Sequence, residues 1–229
     1  MTTLTLPTEQ PAEDGGLFLA SQSARPFLTT GCSLLDCQLG GGYAEDQIIL
    51  LRGDTGSGKS LLAVEAGANF LAKYSQGKVH YLDREDAFDE GYVEALGIDA
   101  ARFNRPKNLS TIEAVTSFVM EILYDLVARP KAKPVMVIID SWDALTTAAE
   151  LKRNLGDKTY GMEKAKLGQE FGRRVSAAMA LSHVQFTLVV VSQIKLGSVP
   201  GSDVVVRKVS GGSWLKFFPT QVLDLKTKT

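Results

Sequence analysis

Residues Gly53-Asp54-Thr55-Gly56-Ser57-Gly58-Lys59-Ser60 spell the pattern G-x-x-x-x-G-K-S. Residue types in this order do one kind of chemistry. The glycines let backbone N–H groups turn inward and cradle phosphate oxygens, the lysine reaches the outer phosphates, and the hydroxyl that follows it binds Mg²⁺. The motif needs a strand before it and a helix after it. Ile48-Ile49-Leu50-Leu51 supplies the apolar run, and Leu61, Leu62, Val64 and Ala68 recur at helical spacing. The positive N-terminal end of the new helix adds to the attraction for phosphate. All eight residues, Gly53 to Ser60, are therefore expected to hold a nucleoside triphosphate.

Three strand ends further along carry polar residues that suit such a ligand. Val137-Ile138-Ile139-Asp140-Ser141 is an apolar strand closing on a carboxylate. Beside a phosphate loop, that Asp140 is expected to order Mg²⁺ through water, with Ser60 as the direct ligand. Tyr81-Leu82-Asp83-Arg84-Glu85-Asp86 ends in carboxylates, and Glu85 is the candidate base for an attacking water. A solvated acidic turn fits that segment equally well. Val191-Ser192-Gln193-Ile194-Lys195 puts an amide just past a buried strand, where it can contact a γ-phosphate. A long loop is expected next, about 196–212, holding Arg207, Lys208, Gly211 and Gly212. Loops of that length in compact domains tend to be functional or mobile.

Between Leu151 and Arg174 the chain is rich in cations. On a helix, Lys166, Gln169 and Arg173 share one face, while Leu167, Phe171, Val175 and Ala178 share the opposite one. The cationic face fits either a solvated surface or, with the Gly-containing segment 154–161, a phosphate-tracking groove for nucleic acid.

These residues need a scaffold, and the rest of the chain describes one. Short, nearly all-apolar runs at 48–51, 79–82, 135–139 and 186–191 read as strands buried on both faces. Helical patterns at about 60–73, 88–96, 111–128 and 160–182 separate them, and a last strand is expected at 221–225. That alternation implies an α/β fold with a mostly parallel sheet covered on both sides. Residues 1–26 are polar except for Leu17-Phe18-Leu19-Ala20 and read as a flexible arm ahead of a core spanning 27–229. The 229 residues are 45% apolar, enough for one large α/β core. A net charge of −1 argues against a purely electrostatic nucleic-acid coat, leaving room for a local basic groove. No apolar run nears the ~20 residues of a membrane span, and no membrane partner is expected. Cys32 and Cys37 are too few for a disulfide framework. With no charged-then-apolar leader at the start, a cytoplasmic location is expected, or the host cytoplasm for a viral chain.

Taken in order, these segments resemble the ATPase core of the RecA/RadA-type recombinases, including their short phage and archaeal members. The resemblance runs from about Leu28 to Leu225. It rests on Thr29-Thr30-Gly31-Cys32-Ser33-Leu34-Leu35-Asp36, the phosphate loop, Asp140-Ser141, Ser192-Gln193-Ile194, and Ser210-Gly211-Gly212-Ser213-Trp214-Leu215-Lys216-Phe217. It implies a RecA-like P-loop fold with antiparallel strands toward the C-terminus, ATP and Mg²⁺ as ligands, and DNA-dependent ATP hydrolysis. Glu85 falls on the family's catalytic glutamate, and Lys59 and Gln193 fall on its phosphate contacts. Asp89 falls where the family contacts the adenine amino group, and Tyr92 where it stacks a tyrosine on the ring. The first DNA-binding loop corresponds to 151–161, with Arg153, Lys158 and the wedge position Tyr160. Lys166 and Arg173 match basic residues near the DNA backbone. The second loop corresponds to 195–212, with Lys195, Arg207, Lys208, Gly211 and Gly212. The implied function is homologous pairing and strand exchange on single-stranded DNA. The implied assembly is a filament, or a ring, of copies with ATP between them. A recombination mediator acting with a partner recombinase, or a hexameric helicase-type ATPase, would carry the same core. A single-strand-binding protein is a further possible partner.

Overall fold

The computed structural model describes residues 26–153, 161–198, 205–209 and 212–227. The chain enters through β1 (Phe27–Leu28), α1 (Ser33–Gln38) and β2 (Tyr43–Ala44), and β1 and β2 pair antiparallel. The Thr29-to-Asp36 lead-in is a hydrogen-bonded staple. Asp36 accepts from the Thr29 hydroxyl at 2.5 Å, the Thr30 hydroxyl at 2.6 Å and the Thr30 N–H at 2.7 Å. Gly42 allows the chain to pass β1, because a Cβ there would lie 2.2 Å from the Leu28 carbonyl oxygen.

The central sheet then builds strand by strand. β3 (Ile48–Gly53) leads into α2 (Lys59–Lys73), and β4 (Lys78–Asp83) is followed by α3 (Glu90–Ala95) and the short β5 (Phe103–Asn104). α4 (Ile112–Ala128) returns the chain to β6 (Val135–Asp140). After the one-turn α5 (Ala148–Leu151) comes the long α6 (Gly161–Leu181). β7 (Phe186–Ser198) follows, then β8 (Val205–Val209), the one-turn α7 (Trp214–Phe217) and β9 (Gln221–Leu225). The strand order is β5-β4-β6-β7-β3-β9, all parallel, with β8 antiparallel to the far end of β7.

Strand alternation divides the core into two layers. Ile48, Leu50, Val137, Ile139, Leu188 and Val190 face α4 and α6, together with Trp142, Phe171 and Trp214. Ile49, Leu51, Met136, Ile138, Val189 and Val191 face α2 and α3. α2 reaches the sheet closely because it presents Ala63, Ala66, Gly67 and Ala68. A Cβ on Gly67 would meet the Phe103 ring at 2.5 Å. α4 starts at Thr111, whose hydroxyl accepts the Ala114 N–H at 3.1 Å, a standard N-cap.

Two expectations change. The segment 196–212 is not one long loop: β7 continues to Ser198, and β8 pairs back onto it from Ile194↔Val209 to Ser198↔Val205. Its β-branched Val205, Val206 and Val209 favour extended backbone, and Gly197 inside the ladder does not prevent it. The helix expected at 88–96 is shorter, Glu90–Ala95, because the Asp89 carboxylate caps it by accepting the Tyr92 N–H at 3.1 Å. The antiparallel element near the C-terminus is β8; the last strand, β9, joins parallel to β3. Of the expected arm, residues 1–25 lie outside the described residues.

Candidate nucleotide site at the carboxyl edge of the sheet

The ends of β3, β4, β6 and the middle of β7 meet along one edge, the usual ligand edge of an open parallel sheet. Register explains how distant segments converge. Gly53 pairs with Gln193, and Asp83 pairs with Asp140. The phosphate loop therefore starts beside the glutamine, and the carboxylates of two neighbouring strands sit level with each other.

In the loop, Gly56 and Gly58 have φ of +73° and +88°, a conformation that L side chains rarely adopt. The N-cap of α2 is Gly58, which offers no side-chain cap. The first-turn N–H groups of α2 consequently have no acceptor within their helix and face outward, as an anion site requires. Gly53 is needed for a different reason: a Cβ there would lie 2.3 Å from the Leu225 carbonyl oxygen of β9. Lys59 is buried, and its Nζ donates to the Asp54 carbonyl at 2.7 Å. A cavity of about 290 Å³ opens over the loop, lined by Thr55, Gly56, Gly58, Lys59, Ser60, Leu61, Glu85 and Gln193.

Glu85 and Gln193, 108 residues apart, are in contact. The Gln193 side-chain amide donates to Glu85 Oε1 at 3.1 Å, and the Ser141 hydroxyl donates to the same oxygen. Gln193 is itself fixed through its backbone N–H, which donates to Asp143 Oδ2 at 2.6 Å. Asp140 is fully buried. Burial raises its carboxyl above the usual range, only partly offset by the Tyr81 and Ser60 hydroxyls. Its Oδ1 has no hydrogen-bond partner among the described residues. A buried carboxylate oxygen left open beside a serine hydroxyl is the hard oxygen chemistry that Mg²⁺ takes, so these residues fit that ion.

Tyr92 lies on α3, next to α2, and Asp89 stands at the N-cap of that helix. Asp89 serves as the cap described above, and the Tyr92 hydroxyl donates to Glu65 Oε1 of α2 at 2.6 Å. That bond, more than burial, pushes the phenol up to about 12.

The expected nucleic-acid residues separate into groups. Lys166 and Arg173 stand exposed on α6, while Phe171, Val175 and Ala178 on its other side are buried, as the helical spacing requires. Gln169 between them donates to the Ser213 hydroxyl at 2.8 Å. Arg153 pairs with Glu163 at 3.2 Å, tying the end of α5 to the start of α6. Lys195, Arg207 and Lys208 lie on the β7–β8 hairpin, where the register sets Lys195 opposite Lys208. Gly212 has φ of +95°. Lys158, Tyr160 and Gly211 lie outside the described residues. Sequence reasoning assigned no role to Ser141, Asp143, Tyr81 or Glu65. Ser141 and Asp143 could have been suspected from following Asp140, whereas Tyr81 and Glu65 carry no motif signal.

Comparison with known proteins agrees with this geometry. Residues 20–229 match the family model described as the RecA N-terminal domain. Over 209 residues the chain is 31% identical to Protein RecA of Desulforapulum autotrophicum, covering 90% of this chain and 56% of that protein. It is 28% identical to Protein RecA of Prochlorococcus marinus strain AS9601, covering 90% and 53%. Protein RecA of Parasynechococcus marenigrum is likewise 28% identical, at 90% and 52%. The chain thus spans about half the length of the curated relatives it matches. A single family model running across a parallel sheet whose carboxyl edge gathers a phosphate loop, two carboxylates and a glutamine shows that this chain belongs to the RecA family.

Proposed function

We propose that this chain is an ATP-dependent, single-stranded-DNA-binding protein of homologous pairing and strand exchange. Copies of it line up on DNA as a filament with ATP at the junctions. The observation that carries the reading is the Gln193–Glu85 contact over the phosphate loop, because it joins a hydrolytic base to the β7 residue just before the ladder with β8 begins. In this reading the loop N–H groups of 53–60 and Lys59 hold the β- and γ-phosphates. Ser60 and Asp140 hold Mg²⁺, the latter through water, and the ion when bound neutralises charge developing on the phosphates. Glu85 orients a water and takes its proton as the water oxygen bonds to the γ-phosphorus and the bond to ADP breaks. A positioned base of this kind contributes roughly 10²- to 10⁴-fold. Asp89 reads the adenine amino group, and Tyr92 offers its ring face to the base.

In this reading the Gln193 amide, which has a second N–H to donate, also reaches the γ-phosphate of a bound triphosphate, and the shift in its contact with Glu85 moves the start of the β7–β8 ladder. In the same reading Lys195, Arg207, Lys208, Gly211 and Gly212 bind DNA together with Arg153, Lys158, Tyr160, Lys166 and Arg173.

The test is ATP turnover with and without single-stranded DNA, alongside electron micrographs with a non-hydrolysable analogue. Stimulation by DNA and helical filaments are expected. Turnover indifferent to DNA would turn the reading toward a mediator, and closed rings would turn it toward a helicase-type ATPase.

A further inference from the structure

The two oxygens of the Asp140 carboxylate are bonded unequally. Its Oδ2 accepts the Tyr81 hydroxyl at 2.5 Å, and its Oδ1 has no hydrogen-bond partner among the described residues. Both residues are fully buried. They stand on adjacent parallel strands, where Tyr81 pairs with Ile138 and Asp83 with Asp140. The phenol thus reaches diagonally along the ladder to the next strand. Its ring is fixed by edge contacts to Phe88 at 5.1 Å and Phe103 at 6.4 Å.

We propose that Tyr81 is a positioning residue for the divalent cation: by occupying Oδ2 it fixes the carboxylate plane and leaves Oδ1 alone to address the ion beside Ser60. A carboxylate that rotates freely would present either oxygen, or neither, to the hydration shell of a small ion with strict geometry. Partners one step removed from a metal typically change its affinity 10- to 100-fold when removed. The inference rests on the proposed role of Asp140.

The experiment uses the full chain with a non-hydrolysable ATP analogue and Mn²⁺ as a paramagnetic probe, titrated by electron paramagnetic resonance. Analogue affinity is measured separately in excess chelator. Tyr81→Phe keeps the ring and its aromatic contacts. It is expected to weaken Mn²⁺ binding about tenfold while leaving metal-free analogue affinity unchanged. Asp140→Asn is run beside it and is expected to weaken Mn²⁺ at least as much. Unchanged Mn²⁺ affinity in Tyr81→Phe with a loss in Asp140→Asn overturns the role of Tyr81 alone. No loss in Asp140→Asn overturns the role of Asp140 and the inference with it. A parallel loss of metal-free analogue by Tyr81→Phe would mark a general packing role and overturn the inference too. Were Tyr81→Phe to unfold, Phe88→Leu would loosen the ring while keeping the hydroxyl; unchanged Mn²⁺ affinity in that variant would again count against Tyr81.

Discussion

Glu85 and Lys59 are each held by protein groups, and in the proposed function a bound nucleotide competes with those contacts. Lys59 donates to its own loop at Asp54, and Glu85 accepts from Ser141 and Gln193. Lys59→Ala removes a charge-assisted contact worth about 1.5–3 kcal/mol, so ATP affinity is expected to fall roughly 10- to 100-fold by equilibrium binding, and nucleotide-dependent assembly with it. Undiminished assembly by that variant would remove Lys59 from the phosphate contact. Glu85→Gln keeps a hydrogen-bonding group of the same shape and loses the base. Turnover is expected to fall at least about 100-fold with ATP binding retained. Asp36 supplies a pH prediction. Burial works to raise its carboxyl, but the Thr29 and Thr30 hydrogen bonds together hold it below the usual value of 3.8. A lowered carboxyl stabilises the fold above 3.8, and that contribution disappears as pH falls through the folded value. Asp36→Asn is therefore expected to flatten acid unfolding at the lowest pH, followed by circular dichroism. The phosphate loop, Asp140 and Gln193 were legible as residues because each closes an apolar strand. That Glu85 lies under Gln193 was not, since 108 residues separate them and only strand order makes them neighbours.

Elements meet here at tight seams. On α6, a Cβ on Gly168 would meet Trp214 Cδ1 at 2.5 Å, within an aromatic cluster of Trp142, Phe171 and Trp214. Helix propensity alone favours Gly168→Ala by about 1 kcal/mol. Overpacking costs about 1–3 kcal/mol, and a rigid indole yields little, so net destabilisation is expected in denaturant titrations. At the entry, Lys73 of α2 donates to the buried Glu45 at 2.6 Å and to the Phe27 carbonyl at 2.8 Å. Lys73→Met leaves that carboxylate without its cation, with the Tyr74 hydroxyl still donating to it at 3.2 Å. About 2–3 kcal/mol of stability should be lost, below the 3–5 of a fully buried pair because Lys73 is partly exposed. The four central strands were readable from their apolar runs, and the helices from their periodicity. The β7–β8 hairpin was not, because glycines and cations read as loop until a pairing partner is known.

For the whole molecule, the net charge of −1 means that any DNA attraction is local. Lys166 and Arg173 are exposed on α6, and Gln169 on the same helix bonds to Ser213, just before α7. Replacing either cation by glutamate is expected to weaken single-stranded DNA binding for all sequences. It should also reduce the slope of log affinity against log salt by about 0.7 for each phosphate no longer neutralised. A slope equal to the parent's would show that this face does not track phosphates. The aromatic cluster beneath that face joins Trp142, two residues past Asp140, to α6 and α7. It is a packed path from the carboxyl edge of the sheet to the proposed DNA face.

Sequence by itself determined the parts whose chemistry is local. A phosphate loop is recognisable because consecutive glycines, a lysine and a serine act through their own backbone and side chains. Buried strands are recognisable because burial on both faces demands unbroken apolar residues. Tertiary structure alone decided which strand ends face each other, and so which polar groups share a hydrogen bond. The order β5-β4-β6-β7-β3-β9 places Gln193 beside Gly53 and Tyr81 diagonal to Asp140. Such pairings depend on register across strands far apart in the chain, and no short-range pattern of residues encodes that register.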